Sequence, residues 1–145
     1  DAHRFDNSSN DYSISSIRKW LNYEFYNKAF TDKQKELIEI TTLKDISNII
    51  DKVFLLSKEE ITNTSYGFNS ENDRCKKVTD YAKANFAYED KEDKNGWYYL
   101  RTPNSHDTCE IYPDGSMFWD GRDDGRWVDD SCGVAPALNF CIAKA

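Results

Sequence analysis

Apolar positions in the first third of the chain repeat with the period of an amphipathic helix. In the stretch SISSIRKWLNYEFYNKAF, four large apolar side chains recur at i, i+3, i+4 and i+8, namely Ile17, Trp20, Leu21 and Phe25. This spacing places them on one face of a helix. Ser15 or Ser16 stands just before the run as a candidate N-cap. The pattern therefore predicts a helix over this stretch.

Two further polar-apolar patterns predict shorter helices. In TDKQKELIEI, Thr31 and Gln34 stand at capping-box spacing and are followed by a short apolar face at Leu37 and Ile38. In DRCKKVTDYAKANF, a mixture of charged and apolar residues predicts another short helix. We therefore expect a second helix beginning after Thr31 and a third one further along the chain.

The stretch KVFLLSKEE changes from a continuous apolar run to a charged one. The run from Val53 to Leu56 is short and apolar, as in a buried strand. Ser57 follows as an N-cap, and Glu59 and Glu60 stand where carboxylates favour the positive end of a helix. We predict a buried strand that passes into a capped helical turn, and we interpret both glutamates as structural.

Beyond the charged linker YEDKEDKNG, the chain becomes rich in aromatic and β-branched residues. The segments WYYLRT, CEIYPDGSMFW, RWV and VAPALNFCIA are separated by turn signals, as in strands joined by hairpins. Pro113, Asp114 and Gly115 form a strong hairpin turn. Helices followed by an antiparallel, hairpin-rich sheet indicate an α+β fold. A chain of 145 residues is one domain in length, so we expect a single domain over residues 1–145.

The charge balance narrows the classes of partner. The formal net charge is −7, and nucleic acids and anionic membranes are bound by clustered Lys and Arg. No apolar run approaches the ~20 residues of a membrane-spanning helix, and DAHRFDNSSN lacks the apolar core of a signal peptide. We expect no nucleic-acid partner, no membrane insertion, and any leader or anchor outside this sequence.

The four cysteines share no CxxC spacing, which argues against a structural zinc site. They are Cys75, Cys109, Cys132 and Cys141. Two interpretations stay open from the sequence: buried thiols, or one or two disulfides in an extracellular setting.

Six stretches in order resemble a widespread bacterial domain family of unassigned function. They are SSIRKWLNYEFYNKAF, KVFLLSKEE, VTDYA, WYYLRTP, PDGS and GVAPAL, beside family patterns S-x-L-R-x-W-L-N, F-L-L-S, W-W-L-R-S-P and G-V-R-P-A-L. The C-terminal part of that family is similar to the C-type-lectin-like fold of formylglycine-generating enzymes and of the variable ligand-binding proteins of diversity-generating retroelements. The resemblance implies N-terminal helices packed on a compact, irregular antiparallel sheet.

The chain departs from the family pattern in places. Ala135 stands where the family usually has Arg, so any polar tie made by that Arg is absent, and Tyr98 replaces the second Trp of the W-W pair. Family members usually carry strand residues before the first helix. An N-terminal strand is therefore either missing here or supplied differently, and we expect His3 to lie in a frayed terminus.

In lectin-like domains, the region between the W-W-L-R-S motif and the final G-V-R-P-A strand supplies the ligand surface. In this sequence that region is Thr102–Cys132. The stretch FWDGRDDGRWVDD within it holds five aspartates, two arginines and two tryptophans, which cannot all be buried. We predict a binding surface of rigid indoles with polar neighbours: Asn104, His106, Asp107, Trp119, Arg122, Asp123, Asp124, Arg126 and Trp127. The alternative places one or both tryptophans in the core and the charges in solvated turns.

The run DGRDDG partly matches a calcium-binding loop. Asp120, Asp124 and Gly125 occupy positions 1, 5 and 6 of an EF-hand pattern. Arg122 at the third position and Ser131 at the twelfth break the match. We expect no cofactor, and Asp120 and Asp124 are the candidates for an irregular calcium site.

Candidate nucleophiles and bases are few. His106 and Cys109 lie three residues apart, but neither they nor Cys132 and Cys141 reproduce the cysteine motifs of formylglycine-generating enzymes. We expect a non-catalytic, extracellular or surface-displayed module that recognises a protein or a glycan through the 102–132 loops. The rivals are a structural or assembly module of a larger surface protein and an enzyme of the formylglycine-generating type.

Overall fold

The protein has a mixed α+β fold of short helices and small sheets. The computed structural model describes residues 1–105, 107–118 and 127–141. The strands of this part are β1 (Ala2–Arg4), β2 (Ile38–Glu39), β3 (Thr41–Leu43), β4 (Ile49–Asp51), β5 (Tyr98–Asn104), β6 (Asp107–Ile111), β7 (Met117–Phe118), β8 (Ser131–Gly133) and β9 (Asn139–Phe140).

The helices are all short. They are α1 (Ser16–Trp20), α2 (Tyr26–Ala29), α3 (Asp32–Leu37), α4 (Lys58–Ile61), α5 (Glu71–Arg74) and α6 (Asp80–Ala84), with a 3₁₀ turn at Thr64–Tyr66. A π-helical turn, Leu21–Phe25, connects α1 to α2 without a break. The predicted helix is therefore confirmed, and Ser15 is its N-cap because its side chain accepts from the Arg18 N–H.

The main sheet has five strands in the order β1-β8-β5-β6-β7. The hairpin β5–β6 pairs antiparallel from Tyr98↔Ile111 to Asn104↔Asp107, with a register shift between Tyr99 and Pro103. Strand β8 lies parallel to β5, and β1 pairs antiparallel with β8. Two pairs of short strands complete the sheets, β2 with β9 and β3 with β4.

The expectation of a frayed N-terminus is wrong. Strand β1 is present, and His3 stands opposite Cys132 in its pairing with β8. The His3 ring also stacks on Trp20 with ring centroids 4.0 Å apart. Backbone pairing and aromatic contact together order this strand, so the N-terminal strand that the resemblance left in doubt is supplied by Ala2–Arg4.

Strand β5 separates two apolar cores. Successive side chains of a strand point to opposite faces. Tyr99 accordingly packs in the larger core with Phe5, Ile17 and other residues of the helical part. Tyr98 and Leu100 pack in a smaller core with Ile61, Cys109 and Ile111.

The strand predicted from Val53 to Leu56 does not form, although Val53, Phe54 and Leu55 are buried as expected. A single bridge joins Phe54 to Ala137. Elsewhere side chains replace a neighbouring strand: the Asn22 amide accepts from the Val53 N–H and donates to the Val53 carbonyl. The segment is therefore buried without belonging to a sheet.

The single helix predicted over DRCKKVTDYAKANF is also wrong. Two helices, α5 and α6, occupy the region, and the chain between them is extended at Cys75. Thr79 begins α6 as an N-cap that accepts from the Ala82 N–H. A second capping signal inside the stretch therefore divides it.

The remaining local signals are confirmed. Thr31 with Gln34 and Ser57 with Glu60 both form complete capping boxes. The predicted turn at Pro113–Gly115 joins β6 to β7, and Gly115 adopts φ +83°. A Cβ at Gly115 would also collide with the Glu71 carbonyl, so both conformation and space require glycine there.

We expect Gly115→Ala to destabilise the fold more than Gly67→Ala. Both positions have positive φ, but a Cβ at Gly67 meets nothing within 4 Å. Gly67→Ala should cost roughly 1–2 kcal/mol from backbone conformation alone. Gly115→Ala should cost about 3 kcal/mol, since it adds a collision to the same strain. Urea unfolding of both variants measures the difference, and equal losses would contradict the close packing of this turn on α5.

Candidate functional site

The tip of the β5–β6 hairpin carries two of the predicted binding residues. Asn104 and Asp107 stand opposite each other in its register. The Asn10 side-chain amide donates to the carbonyls of Ser105 and Asp107 at 2.9 and 3.0 Å. These two bonds fix the tip to the loop that precedes α1, so the backbone at Asn104 and Asp107 is held in a defined position.

Trp127 begins a described segment whose backbone is held by two hydrogen bonds on the C-terminal side of the indole. The Val128 carbonyl accepts from the Asp6 N–H at 2.9 Å, and Val128 itself is buried. The Tyr99 hydroxyl donates to the Asp130 carbonyl at 2.7 Å. The Trp127 side chain is nevertheless 65% exposed. The chain that follows Trp127 is thus held in place while the ring itself is largely exposed, which agrees with the predicted exposure of at least one tryptophan.

The loop before α1 connects these two features. It contacts the Trp127 end through Asp6 and the hairpin tip through Asn10. Burial alone would raise the pKa of the Asp6 carboxyl, but N–H groups of three serines, including Ser16, hold it below its usual value. A carboxylate that stays ionised keeps this loop folded. The structure thus brings Asn104, Asp107 and Trp127 to the borders of one ordered loop.

The other predicted binding residues lie outside the described part of the chain. They are His106, Trp119, Arg122, Asp123, Asp124 and Arg126, together with the calcium candidate Asp120. Within residues 1–105, 107–118 and 127–141, no group of three or more His, Cys, Asp or Glu residues could hold a metal ion. In the same ranges, no helix has the length and apolar character needed to cross a bilayer.

The cysteines, all of which lie in described segments, form no disulfide. Cys109 and Cys132 are buried, Cys75 is half-buried and Cys141 is exposed. Of the two interpretations left open by the sequence, the structure has thiols, although only two of them are buried. Burial raises the pKa of the Cys109 thiol, which is the opposite of what a nucleophilic cysteine needs.

Sequence reasoning missed the most connected polar group, Arg101. Its side chain is 2% exposed and lies within WYYLRT. All five of its N–H groups donate: to both carboxylate oxygens of Asp45 and of Glu60, and to the Leu55 carbonyl, at 2.6–3.0 Å. A cation in the middle of an otherwise apolar strand pattern was the signal for a buried, paired charge.

The Arg101 cluster is saturated. Burial works against the charged guanidinium, but hydrogen bonds to Glu60 and Asp45 outweigh it and raise the pKa of Arg101. Because no N–H of the Arg101 side chain is left for a ligand, the role of Arg101 is to stabilise the fold. Glu60 is accordingly structural, as expected, and it also accepts from the Ser57 N–H at 2.9 Å.

Aromatic residues on a different side of the molecule line a cleft of about 520 Å³. Trp20, Phe25 and Tyr81 form it together with Pro136. Its size falls within the range of small-molecule sites. Trp20 and Phe25 pack against the larger core, as their helical spacing predicts, and their half-buried rings also contribute to this open wall.

One family model matches residues 1–142. The family is described as "Domain of unknown function (DUF6273)". No curated protein and no solved structure matches the chain. The family description carries neither a ligand nor a reaction, so the geometry above is what bears on function.

We expect Arg101→Met to lower the free energy of unfolding by about 3 kcal/mol, because it strands two carboxylates that the guanidinium neutralises. The loss should stay at the lower end of the range for buried pairs, since Asp45 and Glu60 keep partial contact with water. Arg4→Met is the control, because Arg4 is exposed on β1 and should change stability by less than about 0.5 kcal/mol. Denaturant unfolding distinguishes the two, and equal small losses would refute the central role of Arg101.

We expect iodoacetamide to alkylate Cys141 first in the native protein, and Cys109 and Cys132 only on unfolding. Exposure favours Cys141, whereas Cys109 and Cys132 are buried. Peptide mass spectrometry after a short native reaction gives the order. Rapid native labelling of Cys109 would instead support an activated thiol.

Proposed function

This chain belongs to the DUF6273 family, and from that premise we propose that it is a non-catalytic module that binds a protein or a glycan through the loops of Thr102–Cys132. The observation that carries the proposal is the exposed indole of Trp127 on a backbone held by Asp6 and Tyr99. A rigid aromatic ring loses little conformational entropy when a partner covers it. Such rings are the residues that dominate binding energies at interfaces.

The hairpin tip adds polar groups to this surface. Asn104 and Asp107 lie across the same loop from Trp127, and Asn10 holds the tip in place. An amide and a carboxylate at the hairpin tip, together with an exposed aromatic ring, suit both the hydroxyls of a sugar and the polar groups of a protein. The arrangement supports recognition and leaves both ligand classes within the proposal.

The proposal includes a C-type-lectin-like arrangement of the sheet and a surface location within a larger protein, both implied by the family resemblance. The mostly antiparallel main sheet, four of whose five strands follow the helices in sequence, supports the first of these. The non-catalytic reading is supported by the raised pKa of Cys109 and by the saturated hydrogen bonds of Arg101. The resemblance alone motivates the second.

We expect Trp127→Ala to weaken ligand binding by about 30-fold, as for an interface residue worth roughly 2 kcal/mol. Binding would be measured on immobilised defined oligosaccharides and on proteins displayed by candidate target surfaces. Tyr23→Ala is the matched control, because Tyr23 is an equally exposed aromatic residue on the π-helical turn. Thermal melts establish that both variants fold.

Two results would contradict the proposal. Retention of the same ligand by wild type and by Trp127→Ala would remove Trp127 from the recognition surface. Absence of any retained oligosaccharide or protein would favour the rival role, a structural module that packs on a neighbouring domain of a larger surface protein.

A further inference from the structure

A second surface, outside the Thr102–Cys132 loops, combines exposed isoleucines with cations. A groove of about 390 Å³ lies between α1 and the β3–β4 hairpin. Ile40 and Ile50 line it, and they are 66% and 59% exposed. Its other lining residues are Arg18, Lys19, Asn22, Asp51 and Lys52. We refer to these seven residues as the isoleucine–lysine groove.

The fold exposes Ile50 through the alternation of β4. Asp51 faces inwards and is buried, and Ile49 on the same face is half-buried. Ile50 therefore points outwards, in register with Thr42 of β3. Removing apolar side chains of this size from water is favourable. Two of them in one groove therefore mark a surface suited to a partner.

The charges around the groove are positive although the chain is acidic overall. Asp51 is bound by Arg18 at 2.8 Å and is therefore neutralised. Lys52 donates to the Tyr26 hydroxyl at 3.0 Å and lies over the Tyr26 ring, and it forms no ion pair with a carboxylate in the part of the chain that the structure describes. Lys19 is exposed on α1. Three cations against one carboxylate leave a local excess of positive charge on a protein of net charge −7.

The floor of the groove is rigid. The Asn22 side chain accepts from the Lys52 and Val53 N–H groups and donates to the Val53 carbonyl, at 2.8–3.2 Å. Arg18 donates to both oxygens of Asp51 and to the Ser13 carbonyl. A surface that is already fixed loses little entropy when it binds.

We infer that the isoleucine–lysine groove binds a segment of a partner protein in which acidic and aliphatic side chains alternate. The aliphatic side chains would cover Ile40 and Ile50, and the carboxylates would meet Lys19 and Lys52. Complementary charge steers such a segment to this groove and away from the acidic remainder of the surface. The inference uses no residue of the loops in the proposed function and stands independently of it.

The test uses a fluorescein-labelled synthetic peptide of alternating Asp and Leu, with fluorescence anisotropy as the readout. Two control peptides are used: one alternates Lys and Leu, and the other alternates Asp and Ser. We expect the Asp–Leu peptide alone to bind appreciably, and its affinity to fall with added salt. Equal binding of the Lys–Leu peptide would overturn the charge argument, and equal binding of the Asp–Ser peptide would overturn the role of the isoleucines.

Charge-reversal variants locate the binding. Lys19→Glu with Lys52→Glu should weaken Asp–Leu binding by about tenfold or more. Lys33→Glu with Lys91→Glu reverses two exposed lysines elsewhere and gives the same net charge, so it should bind nearly as wild type. Equal weakening by both pairs would attribute binding to the overall field and overturn the inference.

Three more variants test whether a loss of binding comes from the groove itself and not from misfolding. Lys19→Glu alone changes only an exposed side chain and should reproduce part of the loss. Ile40→Ser with Ile50→Ser should weaken binding to a similar extent at low and high salt. Trp127→Ala should leave the Asp–Leu peptide bound, which separates this groove from the loop surface.

The wild-type protein is also tested with phosphatidylserine vesicles. Binding to the vesicles without binding to the peptide would overturn a protein partner in favour of a membrane.

Discussion

The fold depends on the buried guanidinium of Arg101. This one group joins the turn after β3, the beginning of α4 and the backbone at Leu55 to the central strand β5. Asp45 is 56 residues away in sequence, so the contact fixes together parts of the chain that are far apart in sequence. A fork of five donors is what makes this possible, since it satisfies two carboxylates and a carbonyl at once.

The strand that carries Arg101 also positions the proposed recognition surface. Tyr99 lies on the face of β5 towards the larger core, where Arg101 contacts the Phe54 ring, and Tyr98 and Leu100 lie on the opposite face. With both faces packed, β5 has little freedom, and its end at Asn104 inherits that rigidity. The Tyr99 hydroxyl donates to the Asp130 carbonyl, so β5 also holds the chain three residues after Trp127. The loops can therefore differ in sequence while their supports remain the same.

Most local signals in the sequence were accurate, except that the cap at Thr79 was missed, and long-range contacts were not predicted. The capping boxes at Thr31 and Ser57 and the turn at Gly115 each depend on residues within a few positions, so the sequence was sufficient to predict them. The strand at Val53–Leu56 failed because its hydrogen-bond partners are mostly distant side chains, such as Asn22, that no periodicity reveals. The isoleucine–lysine groove escaped notice for the same reason, since α1 and β4 meet only in the folded chain.

The pairing of β1 with β8 has a consequence for the order in which the protein is made. Ala2–Arg4 leaves the ribosome long before Ser131–Gly133, the strand that β1 pairs with. Pairings between such distant segments form late and slow the folding of a domain. During synthesis, the backbone groups of β1 must therefore wait for their partners in β8, although Trp20, the partner of the His3 ring, is made early. A chaperone or a neighbouring chain that covers this strand early would compete directly with completion of the main sheet.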